Sequence, residues 1–162
     1  MRPLTLADEP RIRRAYATAD PRALRLRFGG AAPSFPSLAR RLREMDGHSR
    51  FAVGAFAPDG GIVGVAQYVQ STPGGPADVA VLVVPSWQRQ GVGSALLTDL
   101  QAHAVAEGIT SATALVSGSN TQVQEVLRDL TTPHTVTYDH GSGDVRVDLT
   151  ANPPLPPGAA RR

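Results

Sequence analysis

The apolar residues of this chain change their spacing several times, and each change marks another helix or strand. Spacings of three and four residues predict helices over 9–19, 35–45 and 91–106, and Asn120 is the predicted N-cap of a fourth helix. Alternating or continuous apolar runs, bounded by Gly- and Pro-rich turns, predict strands over 2–6, 51–57, 62–70, 78–84, 110–116, 135–138 and 145–149. The predicted order is therefore β-α-α-β-β-β-α-β-α-β-β.

That order predicts an α+β fold in which most neighbouring strands are antiparallel. Strand 78–84 has Val on both of its faces, so we predict that it is central and buried. Because a helix connects it to strand 110–116, these two strands should be parallel. Asp8 is the predicted N-cap of the first helix, and His103 is predicted to lie on the surface of the third.

The length of 162 residues suits one domain, which we place at 1–150. The Pro-rich remainder, 151–162, is predicted to be a disordered tail. No apolar run reaches about 18 residues, and the N-terminus has no apolar signal segment. We therefore expect a cytoplasmic protein that does not associate with a membrane.

The composition excludes several kinds of chemistry. The chain has no Cys, and all 16 of its basic residues are Arg, so a thiol nucleophile, a Schiff-base lysine and a Walker lysine are excluded. The four His residues lack the spacing of metal ligands, so no metal is expected. Residues 1–50 carry 11 Arg against 5 acidic residues. Because acidic residues interrupt these Arg clusters, we interpret them as solvated helix faces rather than a nucleic-acid surface.

The most informative segment joins the end of strand 78–84 to the next helix. It contains Gln88, Gly91 and Gly93 in the pattern Gln-x-x-Gly-x-Gly. The first N–H groups of a helix have no helical partner and favour an anion, and glycines allow a phosphate to approach the backbone. A dinucleotide fingerprint is excluded because Leu96 stands where its third Gly or Ala is required. The alternative is an ordinary turn between a strand and a helix.

This segment resembles the signature of the GNAT superfamily of N-acyltransferases, Arg/Gln-x-x-Gly-x-Gly/Ala. The resemblance covers roughly residues 1–149 and implies a mostly antiparallel, twisted sheet of six to seven strands flanked by about four helices. It also implies acetyl-CoA as cosubstrate. The backbone of Leu82 and Val83 would then bind pantetheine at a splayed strand end. Asn120 would face the pantetheine or the thiol end, or would only cap its helix. The pyrophosphate would lie on Gln88, Arg89, Gln90, Gly91, Val92, Gly93 and Ser94.

The same resemblance implies that Asp78 is the general base, because many family members place a Glu at the start of this strand. A partly buried carboxylate there accepts a proton from the attacking amine, directly or through water. The alternative is an ordinary polar strand end. Many members also carry a Tyr that protonates the thiolate, but this chain has Leu127 at that position. Solvent, Tyr68 or Tyr138 remain as sources of that proton.

The predicted activity is acetyl transfer from acetyl-CoA to a primary amine of a small molecule or a protein, without a metal. Two alternatives stay open: a module that binds acyl-CoA without turnover, and a protein-lysine acetyltransferase. Residues 23–28, Ala-Leu-Arg-Leu-Arg-Phe, are similar to a segment of bacterial protein-lysine acetyltransferases, which the second alternative would require. The favoured interpretation of this segment is a packed Leu and Phe stripe whose Arg side chains extend to solvent. A homodimer, common among such proteins, is a further alternative.

Overall fold

The computed structural model of the protein describes residues 1–18, 40–117, 134–139 and 142–150. Seven strands of these ranges form one sheet: β1 (Arg2–Pro3), β2 (Arg50–Phe56), β3 (Ile62–Val69), β4 (Ala77–Val83), β5 (Ser111–Ser117), β6 (His134–Asp139) and β7 (Ser142–Asp148). Their order across the sheet is β1-β2-β3-β4-β5-β7-β6. Only β4 and β5 are parallel neighbours in it. The predicted α+β class and the parallel pair are confirmed.

Two helices of more than two turns are described, α1 (Glu9–Thr18) and α2 (Val92–Ala106). Residues 40–43 are also helical, and short 3-10 turns occupy Leu6–Asp8 and Pro85–Trp87. The bounds of α2 agree with the prediction because Gly91 and Gly108, both with positive φ, flank it. The helix predicted after Asn120 and the tail 151–162 lie outside the described residues.

The helices pack on opposite faces of the sheet. On the α2 face, a Cβ at Gly64 would approach the Leu96 side chain to 2.8 Å, so only glycine allows this close contact between β3 and α2. On the α1 face, Ile12 packs near Val65 in the same cavity lining. Because side chains alternate along a strand, successive residues of β3 face α2 and α1 in turn.

Asp8 joins β1 to α1. Its carboxylate accepts hydrogen bonds from Arg2 at 2.6 and 2.8 Å, and from the backbone N–H of Thr5 at 3.0 Å. The predicted role of Asp8 as the N-cap is wrong, since the 3-10 turn begins one turn earlier and Thr5 is the capping residue. The Arg2 guanidinium and the Thr5 donors lower the pKa of Asp8 to about 2.

The predicted surface position of His103 is also wrong. Its ring stacks on Phe51 at a centroid distance of 3.6 Å, and its Nδ1 lies 2.9 Å from the Tyr68 hydroxyl. Tyr68 is fully buried and donates to the backbone carbonyl of His48 at 2.8 Å. These contacts fix the C-terminal half of α2 on β2 and β3.

Candidate active site

β4 has one paired edge and one open edge. It pairs with β3 from Asp78 to Val83 but with β5 only at Ala77 and Asp78. After Asp78, β4 continues to pair with β3 but no longer pairs with β5. The two strands β4 and β5 therefore separate. The expectation that β4 is buried on both faces is therefore wrong: most of its Val side chains are only half-buried.

The open edge presents the backbone groups of alternate residues. The N–H of Val84 donates to the Val63 carbonyl at 2.9 Å, so Val84 faces β3. In an antiparallel pair, residues that share hydrogen bonds with the neighbouring strand alternate with residues that do not. Leu82 therefore faces β3, whereas the backbone groups of Val81 and Val83 face the gap.

The Val83 carbonyl in this gap already has a partner. The side-chain amide of Gln88 donates to it at 3.0 Å. Both backbone groups of Val83 face the gap. Because its carbonyl is already hydrogen-bonded, its N–H is the group that a ligand in the gap would use. The sequence did not predict a role for Val81. Which residues of β4 face the gap depends on which of them hydrogen-bond to β3, and the sequence of β4 alone does not determine this.

The segment after β4 leads into the first turn of α2, where several backbone N–H groups have no helical hydrogen-bond acceptor. Arg89 and Gly91 have φ of +58° and +80°, and the first helical bond runs from the N–H of Ala95 to the Gly91 carbonyl. The preceding N–H groups of Val92, Gly93 and Ser94 therefore have no helical acceptor. They lie at the positive end of the α2 dipole.

The space at this helix end suits a phosphate. A Cβ at Gly91 would meet nothing within 4 Å, and one at Gly93 would meet only Val83 at 3.6 Å. Arg89, Gln90, Gly91 and Ser94 are exposed, and Gln88 is half-buried. The segment from Gln88 to Ser94, which we call the phosphate loop, thus combines open space with donors and partial positive charge.

Asp78 lies at the opposite end of β4. Its carboxylate accepts a hydrogen bond from the Thr113 hydroxyl at 2.7 Å. The expected partial burial is wrong, because Asp78 is exposed at the rim of the sheet. Thr113 was not singled out from the sequence; the parallel register that pairs it with Asp78 is the signal that finds it.

The remaining predicted site residues lie outside the described ranges or elsewhere in the sheet. Asn120 and Leu127 lie outside the described residues, as does segment 23–28. Tyr68 is a poor proton donor, since burial raises its pKa to about 12 and its hydroxyl is hydrogen-bonded. Tyr138 belongs to β6, the edge strand beyond β7.

The described residues contain no cluster of three His, Asp or Glu side chains placed to hold a metal ion. Within the same ranges, no helix has both the length and the apolar composition needed to cross a membrane.

Comparisons with known proteins identify relatives of this chain. A family profile described as the acetyltransferase (GNAT) family matches residues 14–130. The mycothiol acetyltransferase of Thermobifida fusca (strain YX) is 35% identical over 88 residues, which are 54% of this chain and 27% of that protein. The chain therefore spans about a quarter of that relative's length.

Solved structures share the fold. The GNAT domain of S. lividans PAT superposes with a TM-score of 0.79 at 25% identity, covering 91% of this chain and 88% of that one. A GNAT superfamily phosphinothricin acetyltransferase from Sinorhizobium meliloti, in complex with AcCoA, superposes with a TM-score of 0.74 at 20% identity, covering 95% and 91%. Since the family profile covers most of its length, the chain belongs to the acetyltransferase (GNAT) family.

Proposed function

We propose that this protein transfers an acetyl group from acetyl-CoA to a primary amine, and that the amine attacks the thioester directly. The observation that carries the proposal is the junction between the open edge of β4 and the phosphate loop. Gln88, the first loop residue, is hydrogen-bonded to Val83, whose backbone faces the gap. One ligand with a pyrophosphate and an amide-bearing arm would occupy both features.

The phosphate loop would hold the pyrophosphate. The anion would accept hydrogen bonds from the free N–H groups at the start of α2, and the dipole of α2 would stabilise its charge. This role is proposed for Gln88, Arg89, Gln90, Gly91, Val92, Gly93 and Ser94. The AcCoA complex of the S. meliloti neighbour, which has the same fold, supports this choice of ligand.

The gap beside β4 would hold the pantetheine arm and the thioester. Val81 and Val83 would pair with the arm as a neighbouring strand does, whereas Leu82 would support it from the β3 side. An N–H of this edge directed at the thioester oxygen would stabilise the negative charge that develops there. The amine would form the new C–N bond on one side while the C–S bond breaks and the sulfur leaves as thiolate.

Asp78 would accept the proton that the attacking nitrogen loses. It lies three positions before Val81, a distance of about 10 Å along the strand. The proton would therefore reach the carboxylate through water rather than by direct contact. Thr113 would hold the carboxylate in place through its 2.7 Å hydrogen bond. The thiolate would take its proton from solvent, since Leu127 replaces the tyrosine of many family members.

A second candidate is a module that binds acyl-CoA without turnover, and the exposure of Asp78 favours it. Incubation with acetyl-CoA and a panel of primary amines, with detection of free thiol, separates the two. Amine-dependent release of thiol supports the enzyme. Binding of CoA with no release above background for any amine would leave only the binding module.

The phosphate loop is tested by Gly91→Glu. The added carboxylate would repel the pyrophosphate and fill the open space, so CoA binding should weaken at least about hundredfold. Gly108→Glu is the matched control, because Gly108 has φ of +78° and an equally open Cβ position at the other end of α2. Both variants carry the same backbone strain. Equal CoA affinity in the two, measured by calorimetry, would contradict the proposed site.

The role of Asp78 is tested by Asp78→Ala and Asp78→Glu. A positioned base contributes roughly 10²–10⁴-fold to a rate, so Asp78→Ala should lower kcat about hundredfold. The loss should be greatest at acidic pH, where the amine is protonated and needs a base. Asp78→Glu, with a longer reach toward the gap, should retain activity. A uniform loss at every pH in both variants would remove Asp78 from this role.

A further inference from the structure

A groove lined by apolar side chains and a few charged ones lies on the α1 face, separate from the gap and the phosphate loop. It has a volume of about 220 Å³ and lies between α1, the turn from β2 to β3, and the 3-10 turn after β4. We call it the α1 groove and define it by Arg11, Arg14, Thr18, Asp59, Val84 and Trp87. A cavity of roughly 10–15 Å³ suffices for one water, so the α1 groove has room for a substituent of several atoms.

The charge of the α1 groove is positive. Arg11 and Arg14 are three residues apart on α1 and therefore share one helix face. Among the described residues, Arg14 has no hydrogen bond or ion pair. Arg11 has only a long contact of 3.3 Å to Asp8, which Arg2 already holds at 2.6 Å. Both guanidinium groups are therefore available to a ligand.

One acidic residue opposes them. Asp59 lines the same groove, and its Oδ1 accepts the N–H of Gly61 at 2.9 Å. That hydrogen bond serves the β2–β3 turn and satisfies part of the carboxylate. Two cations against one anion leave the groove with a net positive charge, which favours an oxyanion such as a carboxylate or phosphate.

The position of the groove connects it to the acceptor rather than to the pyrophosphate. Val84 lines it, and alternation along β4 places the Asp78 side chain on the same face as Val84. The start of α2, with the phosphate loop, lies on the opposite face, since a Cβ added at Gly93 would meet the Val83 side chain at 3.6 Å. An anion in the α1 groove therefore lies on the side of the sheet from which Asp78 can be reached.

We propose that the α1 groove binds an anionic group of the acceptor, and that this protein selects amines bearing a carboxylate or phosphate about 10 Å from the nitrogen. The inference rests on the proposed function. The distance follows from the strand, because the edge at Val81 is three residues, about 10 Å, from the groove wall at Val84. An extended tripeptide spans about the same length between its amine and its carboxylate.

The test uses triglycine and its C-terminal amide as matched acceptors with the whole chain of 162 residues. Both have the same amine, but only triglycine has the carboxylate. With acetyl-CoA saturating, free-thiol release should give a KM about tenfold lower for triglycine than for the amide. Arg14→Gln should abolish this difference, and the preference should weaken as ionic strength rises.

Arg43→Gln is the control, because Arg43 is an exposed helical residue that does not line the groove. It removes the same charge and should leave the preference intact. Trp87 is the one tryptophan of the chain, so its fluorescence reports occupancy of the groove without turnover. Triglycine should change this signal in the wild type and in Arg43→Gln, and much less in Arg14→Gln.

Two results would overturn the proposal. Equal KM values for triglycine and its amide, with thiol release intact, would show an active enzyme that ignores the anion. A rise in the KM for acetyl-CoA in Arg14→Gln, absent with acetyl-dephospho-CoA, would assign the groove to the donor's phosphate. Absence of thiol release with every amine contradicts the proposed function instead, and the fluorescence titration still decides whether the groove binds the carboxylate.

Discussion

The Asp8 carboxylate holds α1 on β1, and its replacement by Asn should destabilise the protein. Asp8 is almost fully buried, and its strongest partner is Arg2. Asn has nearly the same size, so Asp8→Asn removes the charge and leaves little cavity. It keeps an oxygen that can accept from Thr5 but loses the paired hydrogen bonds to the guanidinium.

The magnitude follows from the pKa of Asp8, which the hydrogen bonds of Arg2, followed by those of Thr5, lower from 3.8 to about 2. Each unit of pKa shift corresponds to about 1.4 kcal/mol. Because the Arg2 side chain is half exposed, we expect a contribution of about 2 kcal/mol to the free energy of unfolding at pH 7.

The sign of the pH dependence follows from the direction of the shift. The pKa of Asp8 is lower in the folded state, so its stabilisation is complete above the unfolded value and lost as the pH falls from 3.8 toward 2. At pH 3 about 1 kcal/mol of it should be gone. The difference between wild type and Asp8→Asn should shrink by that amount between pH 7 and pH 3.

Urea unfolding followed by circular dichroism measures both quantities. Asp99→Asn is the control, since Asp99 is an exposed residue of α2 and its replacement should change stability by less than about 0.5 kcal/mol. The reasoning fails if Asp8→Asn costs no more than Asp99→Asn at pH 7. It also fails if the cost stays constant down to pH 3.

Three further predictions concern individual hydrogen bonds. Tyr68→Phe removes the hydroxyl that donates to the His48 carbonyl and contacts His103 Nδ1, and should cost about 1–3 kcal/mol in urea unfolding; a change under about 0.5 kcal/mol contradicts the assignment. Glu107 raises the pKa of His48, so Glu107→Gln should lower that pKa toward 6.5 in an NMR titration, and an unchanged value refutes the pair. Thr113→Val should lower kcat about fivefold with KM for acetyl-CoA unchanged, and Thr113→Ser should restore it; equal losses in both would exclude a positioning role.

The sequence predicted the elements that local signals determine. Gly91 and Gly108 mark the ends of α2 because positive φ at both positions favours glycine, and the hairpin from β2 to β3 follows from its Gly- and Pro-rich turn. The phosphate loop was found for the same reason, since its glycines and the helix start are adjacent in the chain.

Features that depend on how strands far apart in the chain pair with each other could not be predicted from local sequence signals. The separation of β4 from β5 leaves no mark within either strand, so β4 was expected to be buried. Leu82 and Val83 look equivalent in sequence, and only the hydrogen bond of Val84 to Val63 fixes which of them faces the gap. Asp78 and Thr113 meet only because the two strands are parallel there.

His103 is a different case, because its sequence context did contain a signal. It lies three residues after Leu100 and seven after Leu96, which places all three on one helix face. Leu96 and Leu100 are buried in the core. Its partner Tyr68 lies 35 residues earlier in the chain, so no local signal indicates the hydrogen bond that holds the polar ring against β3.

The hydrogen bonds of Tyr68 determine the tautomer of His103. A phenol has a single proton, and the His48 carbonyl can only accept, so the Tyr68 proton points to that carbonyl. The contact of 2.9 Å to His103 then requires that Nδ1 carries a hydrogen and donates it to the phenol oxygen. The lone pair is therefore left on Nε2, so this nitrogen of His103 acts as a hydrogen-bond acceptor and not as a donor.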